Sequence, residues 1–127
     1  MSNLERMIAP VPASTYAQAG ISAGQKWMAD YNVSCWVRGR ALFAATVTLA
    51  VRYRDGSGER QVVVDRAVCD KESSLLLSSR IQLPATGRVE EMTVWLVSEP
   101  ACELFVDELY VQRVGALAAS RPILASR

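Results

Sequence analysis

Seven side chains in this 127-residue sequence have the shape needed to grip a flat polar ligand: Trp36, Arg38, Arg52, Arg80, Gln82, Trp95 and, as a secondary member, Tyr110. An indole or phenol face stacks on an apolar surface, while a guanidinium or carboxamide offers planar hydrogen bonds beside it. Covalent chemistry is much less well provided for. The chain has no histidine, which excludes a Ser-His-Asp triad, a Cys-His dyad and histidine-ligated zinc within one chain. Glu90-Glu91 and Asp107-Glu108 are the conspicuous carboxylate pairs. Glycoside hydrolysis requires two carboxylates facing each other across about 5–9.5 Å, and neighbours on a strand point to opposite faces. Gly56 and Gly58 fall in a hairpin signal rather than before a helix, so they do not form a phosphate loop. The expectation is a non-catalytic chain without a cofactor.

Cys35, Cys69 and Cys102 are widely spaced and contain no C-x-x-C pair, which fits neither a zinc ribbon nor a thioredoxin-like motif. An odd number fits free, partly buried thiols in a reducing compartment, with one disulfide plus a free thiol as the alternative. Cys35 lies in a strand pattern and is expected to pack as a small hydrophobe.

The elements that must position these side chains read at period two. Tyr31, Val33, Cys35 and Val37 alternate with Asn32, Ser34, Trp36 and Arg38; Val47, Leu49, Val51 and Tyr53 alternate with Thr46, Thr48, Ala50, Arg52 and Arg54. Each pattern describes a strand with one face in the core. Asp55-Gly56-Ser57-Gly58 supplies a hairpin turn, because Asp-Gly tolerates positive φ. Gln61 to Val68 is the return strand, Asp70 to Ser74 a polar turn, and Leu75 to Leu83 a further strand ending at Pro84. Strands over Val89–Val97 and Glu103–Gln112 follow, separated by Glu99-Pro100. This predicts an all-β chain, an antiparallel β-sandwich of about seven to eight strands in two sheets. Residues 1–14 read as an N-terminal arm with one helical turn at Asn3–Met7, 15–114 as the sandwich domain, and 115–127 as a tail that is loose or docked.

Half of the residues are hydrophobic, 21% are charged and the net charge is +1. That describes a globular chain and argues against a dedicated nucleic-acid binder, which needs excess positive charge. Twelve of the fourteen basic residues are arginine, a bias that codon usage alone would produce. The apolar stretch Ala41–Val51 is interrupted by Thr46 and Thr48 and falls short of the roughly 20 residues of a membrane span. The N-terminus lacks the apolar core of a signal peptide. The expected location is therefore cytoplasmic, with no membrane partner.

Three stretches together resemble the jelly-roll carbohydrate-binding modules. They are Ile21-Ser22-Ala23-Gly24-Gln25 through Tyr31–Gly39, Thr46–Gly58, and Glu103-Leu104-Phe105-Val106-Asp107-Glu108-Leu109-Tyr110-Val111. Ile81-Gln82-Leu83-Pro84 and Val94-Trp95-Leu96-Val97 sit where that superfamily places intervening strands. The resemblance covers roughly residues 20–113, is largely structural, and implies a galactose-binding-like sandwich. It also implies a structural calcium ion held by an early Glu and an Asp-Asp pair. Here the opening strand motif is missing and only Asp107 of the pair is present, followed by Glu108. Asp107 is accordingly expected at a strand end or bulge, bonded to nearby backbone.

Two functional expectations follow. In the first, outward-facing Trp36, Arg38, Arg52, Arg80, Gln82 and Trp95 form one groove for an oligosaccharide or polysaccharide. In the second, the sandwich is a structural or protein-interaction component, of a phage-like or secretion assembly for example, or a homo-oligomer, with no sugar ligand. The structural reading of the tryptophans is that Trp36 packs under a loop or tail and Trp95 covers a second face. An exposed tryptophan in a groove would favour sugar; a flat apolar surface would favour assembly.

Overall fold

The computed structural model describes residues 2–114 and the backbone of 122–125. The chain is all-β and antiparallel. Its strands are β1 (Leu4–Pro10), β2 (Lys26–Asp55), β3 (Gly58–Thr86), β4 (Glu91–Glu99), β5 (Glu103–Arg113) and β6 (Pro122–Ala125), with one short helix, α1 (Ala13–Tyr16). Their hydrogen bonds form a single sheet in the order β1-β4-β2-β5-β6, with β3 also on β2.

The alternating pattern explains β2 and β3, but these strands are far longer than the sequence suggested. Thirty residues at about 3.3 Å each would span about 100 Å if straight. Instead, the β2–β3 hairpin is doubled over at a corner. Between Ala41, paired with Lys71, and Ala45, paired with Cys69, three residues of β2 face only Asp70. There Lys71 adopts φ 56°. The Asp70–Ser74 segment expected to be a turn between two strands thus holds a bend within one strand. Divided at that corner, the six strands give eight segments.

The first limb of β2 pairs with β5 from Tyr31 to Arg40, and the second pairs with β4 from Thr46 to Arg54. Doubling buries the inward residues of both limbs in one core: Tyr31, Val33, Cys35 and Val37 with Val47, Leu49, Val51 and Tyr53, joined by Met92, Val94 and Leu96. Removing that apolar surface from water is what favours the folded-back hairpin over an extended ribbon.

Polar clasps close the ends. At the hairpin tip the Gly56 amide donates to the Thr86 carbonyl at 2.8 Å, and the Thr86 amide donates to Asp55 Oδ2 at 2.9 Å. Tyr53 Oη and Arg60 both donate to the Pro84 carbonyl, at 2.6 and 3.0 Å. A Cβ on Gly56 would lie 2.8 Å from the Thr86 oxygen, so this position is glycine because the backbones touch. The positive φ of the turn falls at Gly58, not in the Asp-Gly pair. Along β3, Asp65 Oδ2 accepts from the Ser78 amide of the other limb at 3.0 Å.

Segment 4–10, expected within an arm, is edge strand β1 on β4, with Ala9 and Val11 buried. The helical turn at Asn3–Met7 is absent because these residues find a sheet partner, and tertiary pairing overrides weak local preference. Of the expected tail, 122–125 pairs with β5; 115–121 and 126–127 lie outside the described residues. Among the described residues, no helix is long and apolar enough to cross a membrane.

Candidate functional site

The corner separates the seven expected ligand-binding residues into two groups. Trp36 and Arg38 sit on the first limb of β2, Arg80 and Gln82 on the facing limb of β3, and Tyr110 on β5 opposite Ser34. Arg52 sits on the second limb, and Trp95 is paired with Ala50 of that limb. Residues adjacent to both tryptophans, Cys35 and Val37 on one side and Val94 and Leu96 on the other, share the core. Trp36 and Trp95 therefore point away from that core in opposite directions, and the single groove does not form.

On the first face Trp36 is 44% exposed. Leu76, 46% exposed, is its direct cross-strand partner, and Phe105, 54% exposed, faces Arg38 two residues on. The three make a diagonal apolar row across β3, β2 and β5. Two ion pairs adjoin it, Arg38 with Asp107 at 3.0 Å and Arg40 with Glu72 at 2.8 Å; a third, Arg80 with Asp30 at 2.7 Å, lies further along the same strands. Arg38 also lies 5.8 Å from the Phe105 ring centre. Gln82, opposite Asp30, is exposed. The Tyr110 hydroxyl donates to Glu108 at 3.2 Å, and that acceptor raises its pKa, since losing the proton would lose the bond.

Asp107 is a bulge residue, as expected. Between Trp36, which faces Glu108, and Val37, which faces Val106, it has no partner in the ladder. Its carboxylate takes the Arg38 Nε on both oxygens at 3.0 Å rather than nearby backbone, because the bulge turns it toward the outer face. Among the described residues no three His, Cys, Asp or Glu side chains cluster to hold a metal ion.

On the opposite face Trp95 lines a groove of about 440 Å³ with Met7, Arg52, Arg54, Arg60, Gln61 and Thr93 among its walls. The Arg52 guanidinium stands 4.1 Å over the indole. It is tethered there by Gln61 at 2.7 Å and by Glu5. The Trp95 Nε1 donates to Thr93 Oγ1 at 2.9 Å. This ring is half-buried and its open face already carries a cation, worth about 0.5–2 kcal/mol.

Glu90 and Glu91 were expected to diverge as strand neighbours. Glu90 precedes β4 and both carboxylates reach Arg54, at 3.5 and 3.4 Å. Sequence reasoning also passed over Phe105, Leu76 and the corner residues Leu42 and Phe43, 95% and 68% exposed. Phe105 escaped notice because the bulge at Asp107 shifts its alternation. Cys35 is fully buried, and burial pushes its thiol up to about 12, with Asp107 adding to the shift. No family model, no curated protein and no solved structure matches the chain.

Proposed function

We propose that the chain is a non-catalytic β-sandwich of jelly-roll type, and that it works as an assembly module whose Trp36 face is covered by a protein subunit. The doubled β2–β3 hairpin around one core supports the sandwich reading, since wrapping a long antiparallel hairpin is how a jelly roll is built. The observation that carries the function is the row Leu76–Trp36–Phe105, about half-exposed and bordered at its Phe105 end by the Arg38–Asp107 and Arg40–Glu72 ion pairs. An aromatic centre with a polar rim is the usual anatomy of a protein interface, and a central tryptophan is its commonest energetic anchor.

A second reading, a carbohydrate-binding module, is favoured by the groove at Trp95, whose arginines, glutamine and threonine suit hydroxyl groups. A sugar stacking there must first displace Arg52 from the ring. One experiment separates the two. A photo-crosslinking phenylalanine derivative is placed at position 36 or at position 95 in the native host, and the purified chain is applied to a glycan array. Assembly predicts a discrete protein adduct from position 36, none from position 95, and a silent array. An array signal abolished by Trp95→Ala, with no adduct at position 36, overturns it in favour of sugar.

A further inference from the structure

Outside both faces, the corner of the sheet brings two nucleophilic side chains together. Cys69 ends the pairing of the first limb of β3, opposite Ala45, and is fully buried. Its thiol points toward the first limb of β2: a Cβ built on Gly39 would fall 2.5 Å from Cys69 Sγ and 3.3 Å from Leu104 Cδ2. Cys102 lies two residues before Leu104, in the connection between β4 and β5, and is partly exposed. Its sulfur is 3.2 Å from Ser98 Oγ. The Cys69 thiol donates to the Lys71 carbonyl at 4.0 Å. Cys69 faces Ala45 and Ser98 faces Val47, the next inward position of β2, so both sulfurs sit at the same end of the core, and the nearby Cys102 helps to raise the Cys69 pKa. Cys35 has no such companion; its thiol is directed at the Trp36 carbonyl, 3.9 Å away.

We propose that Cys69 and Cys102 form an oxidisable dithiol, converted by a low-molecular-weight disulfide into an intramolecular cross-link that staples the corner of β3 to the β4–β5 connection. Solvent reaches Cys102, so it reacts first. Its thiolate attacks the reagent disulfide, a mixed disulfide forms and one small thiol leaves. Cys69, having lost its proton, attacks the Cys102 sulfur and expels the second small thiol. The protein gives up two protons and two electrons, and the reagent is reduced to two thiols. Burial raises the Cys69 pKa, which makes the second displacement the slow one. In a reducing compartment the pair stays as thiols; in an oxidising one it closes a loop that encloses all of β4.

The test uses the full chain, equilibrated in oxidised glutathione, then acid-quenched, unfolded and alkylated with N-ethylmaleimide before intact-mass and peptide analysis. Reduced protein takes three maleimides, one for each free cysteine. Oxidised protein is expected to take one, at Cys35, to yield a Cys69–Cys102 linked peptide, and to unfold at a higher urea concentration than reduced protein. Cys69→Ala is expected to retain glutathione on Cys102 without a linked peptide. Cys102→Ser, changed at a partly exposed position, is expected to take two maleimides after the same treatment. Three maleimides on oxidised wild type, a link through Cys35, or glutathione persisting on wild-type Cys102 overturns the proposal.

Discussion

Asp55 at the hairpin tip is the clearest place to test how the doubled sheet is held. Its side chain is fully shielded from solvent and spends both oxygens on closure. Oδ1 accepts from the Ser57 amide at 2.9 Å and hydroxyl at 2.7 Å. Oδ2 accepts from the Thr86 amide at 2.9 Å and from Arg60 at 3.3 Å. Asp55→Asn preserves the shape but supplies one acceptor oxygen instead of two. If that oxygen faces Ser57, the new amide meets the Thr86 N–H donor to donor; the flipped rotamer merely moves the conflict to the Ser57 amide. One buried backbone N–H is orphaned either way, at about 1–3 kcal/mol. The lost charge on Arg60 adds less, because that side chain is one-third exposed and solvent screens it. The expected loss is about 2–3 kcal/mol, a drop in Tm of about 10 °C for a chain of this size.

The charge also fixes a pH signature. Burial alone would raise the Asp55 pKa, but the hydrogen bonds from Ser57, Thr86 and Arg60 outweigh it and hold the carboxyl below its ordinary value of 3.8. A depressed folded pKa means the unfolded chain binds the proton more readily. The stabilisation is therefore complete above the ordinary value and is lost as pH falls through the folded one. Urea unfolding followed by tryptophan fluorescence at neutral pH and at about pH 3 measures both effects. The gap between wild type and Asp55→Asn should be full at neutral pH and should narrow in acid. A neutral-pH difference below about 0.5 kcal/mol, within the range of an ordinary surface change, or a gap unaltered in acid, would refute the clasp.

Two further substitutions probe the corner and the edge. Gly39→Ala drives a Cβ to 2.5 Å from Cys69 Sγ and should cost about 1–3 kcal/mol as overpacking; adding Cys69→Ala should recover most of that in a double-mutant cycle on urea midpoints, and additive losses would show the clash is not the cause. Asp65→Ala removes the acceptor that ties the Ser78 amide across the two limbs of β3; a loss of about 1–2 kcal/mol with faster hydrogen exchange at Ser78 is expected, and unchanged exchange there would show that Asp65 does not join the limbs.

The all-β character was legible because apolar and polar residues alternate over Tyr31–Arg38 and Thr46–Arg54, and the buried sets match that alternation except at Ala50, which was placed on the outward side and is fully buried. The continuity of β2 and β3 was not. Asp70–Ser74 carries the polar composition of a turn, and composition does not distinguish a reversal of direction from a bend inside a paired strand. Strand β1 was hidden for a related reason. Leu4-Glu5-Arg6-Met7 alternates too briefly to announce a strand, and it becomes one because β4 offers an open edge.

The site failed to assemble for a reason that follows from the corner itself. Period-two alternation states whether a side chain points into the core or away from it, and it placed Trp36, Arg52 and Trp95 correctly as outward. It does not state which way outward is. On a flat ribbon, outward residues of β2 at positions 36 and 52 would share one surface. Once the ribbon is doubled, their common inward side becomes the core, and the two limbs must turn their outward residues in opposite directions. The three residues opposite Asp70 thus decide the fate of the binding surface more than any aromatic does. They leave an apolar row on one face and, on the other, a tryptophan already stacked by Arg52.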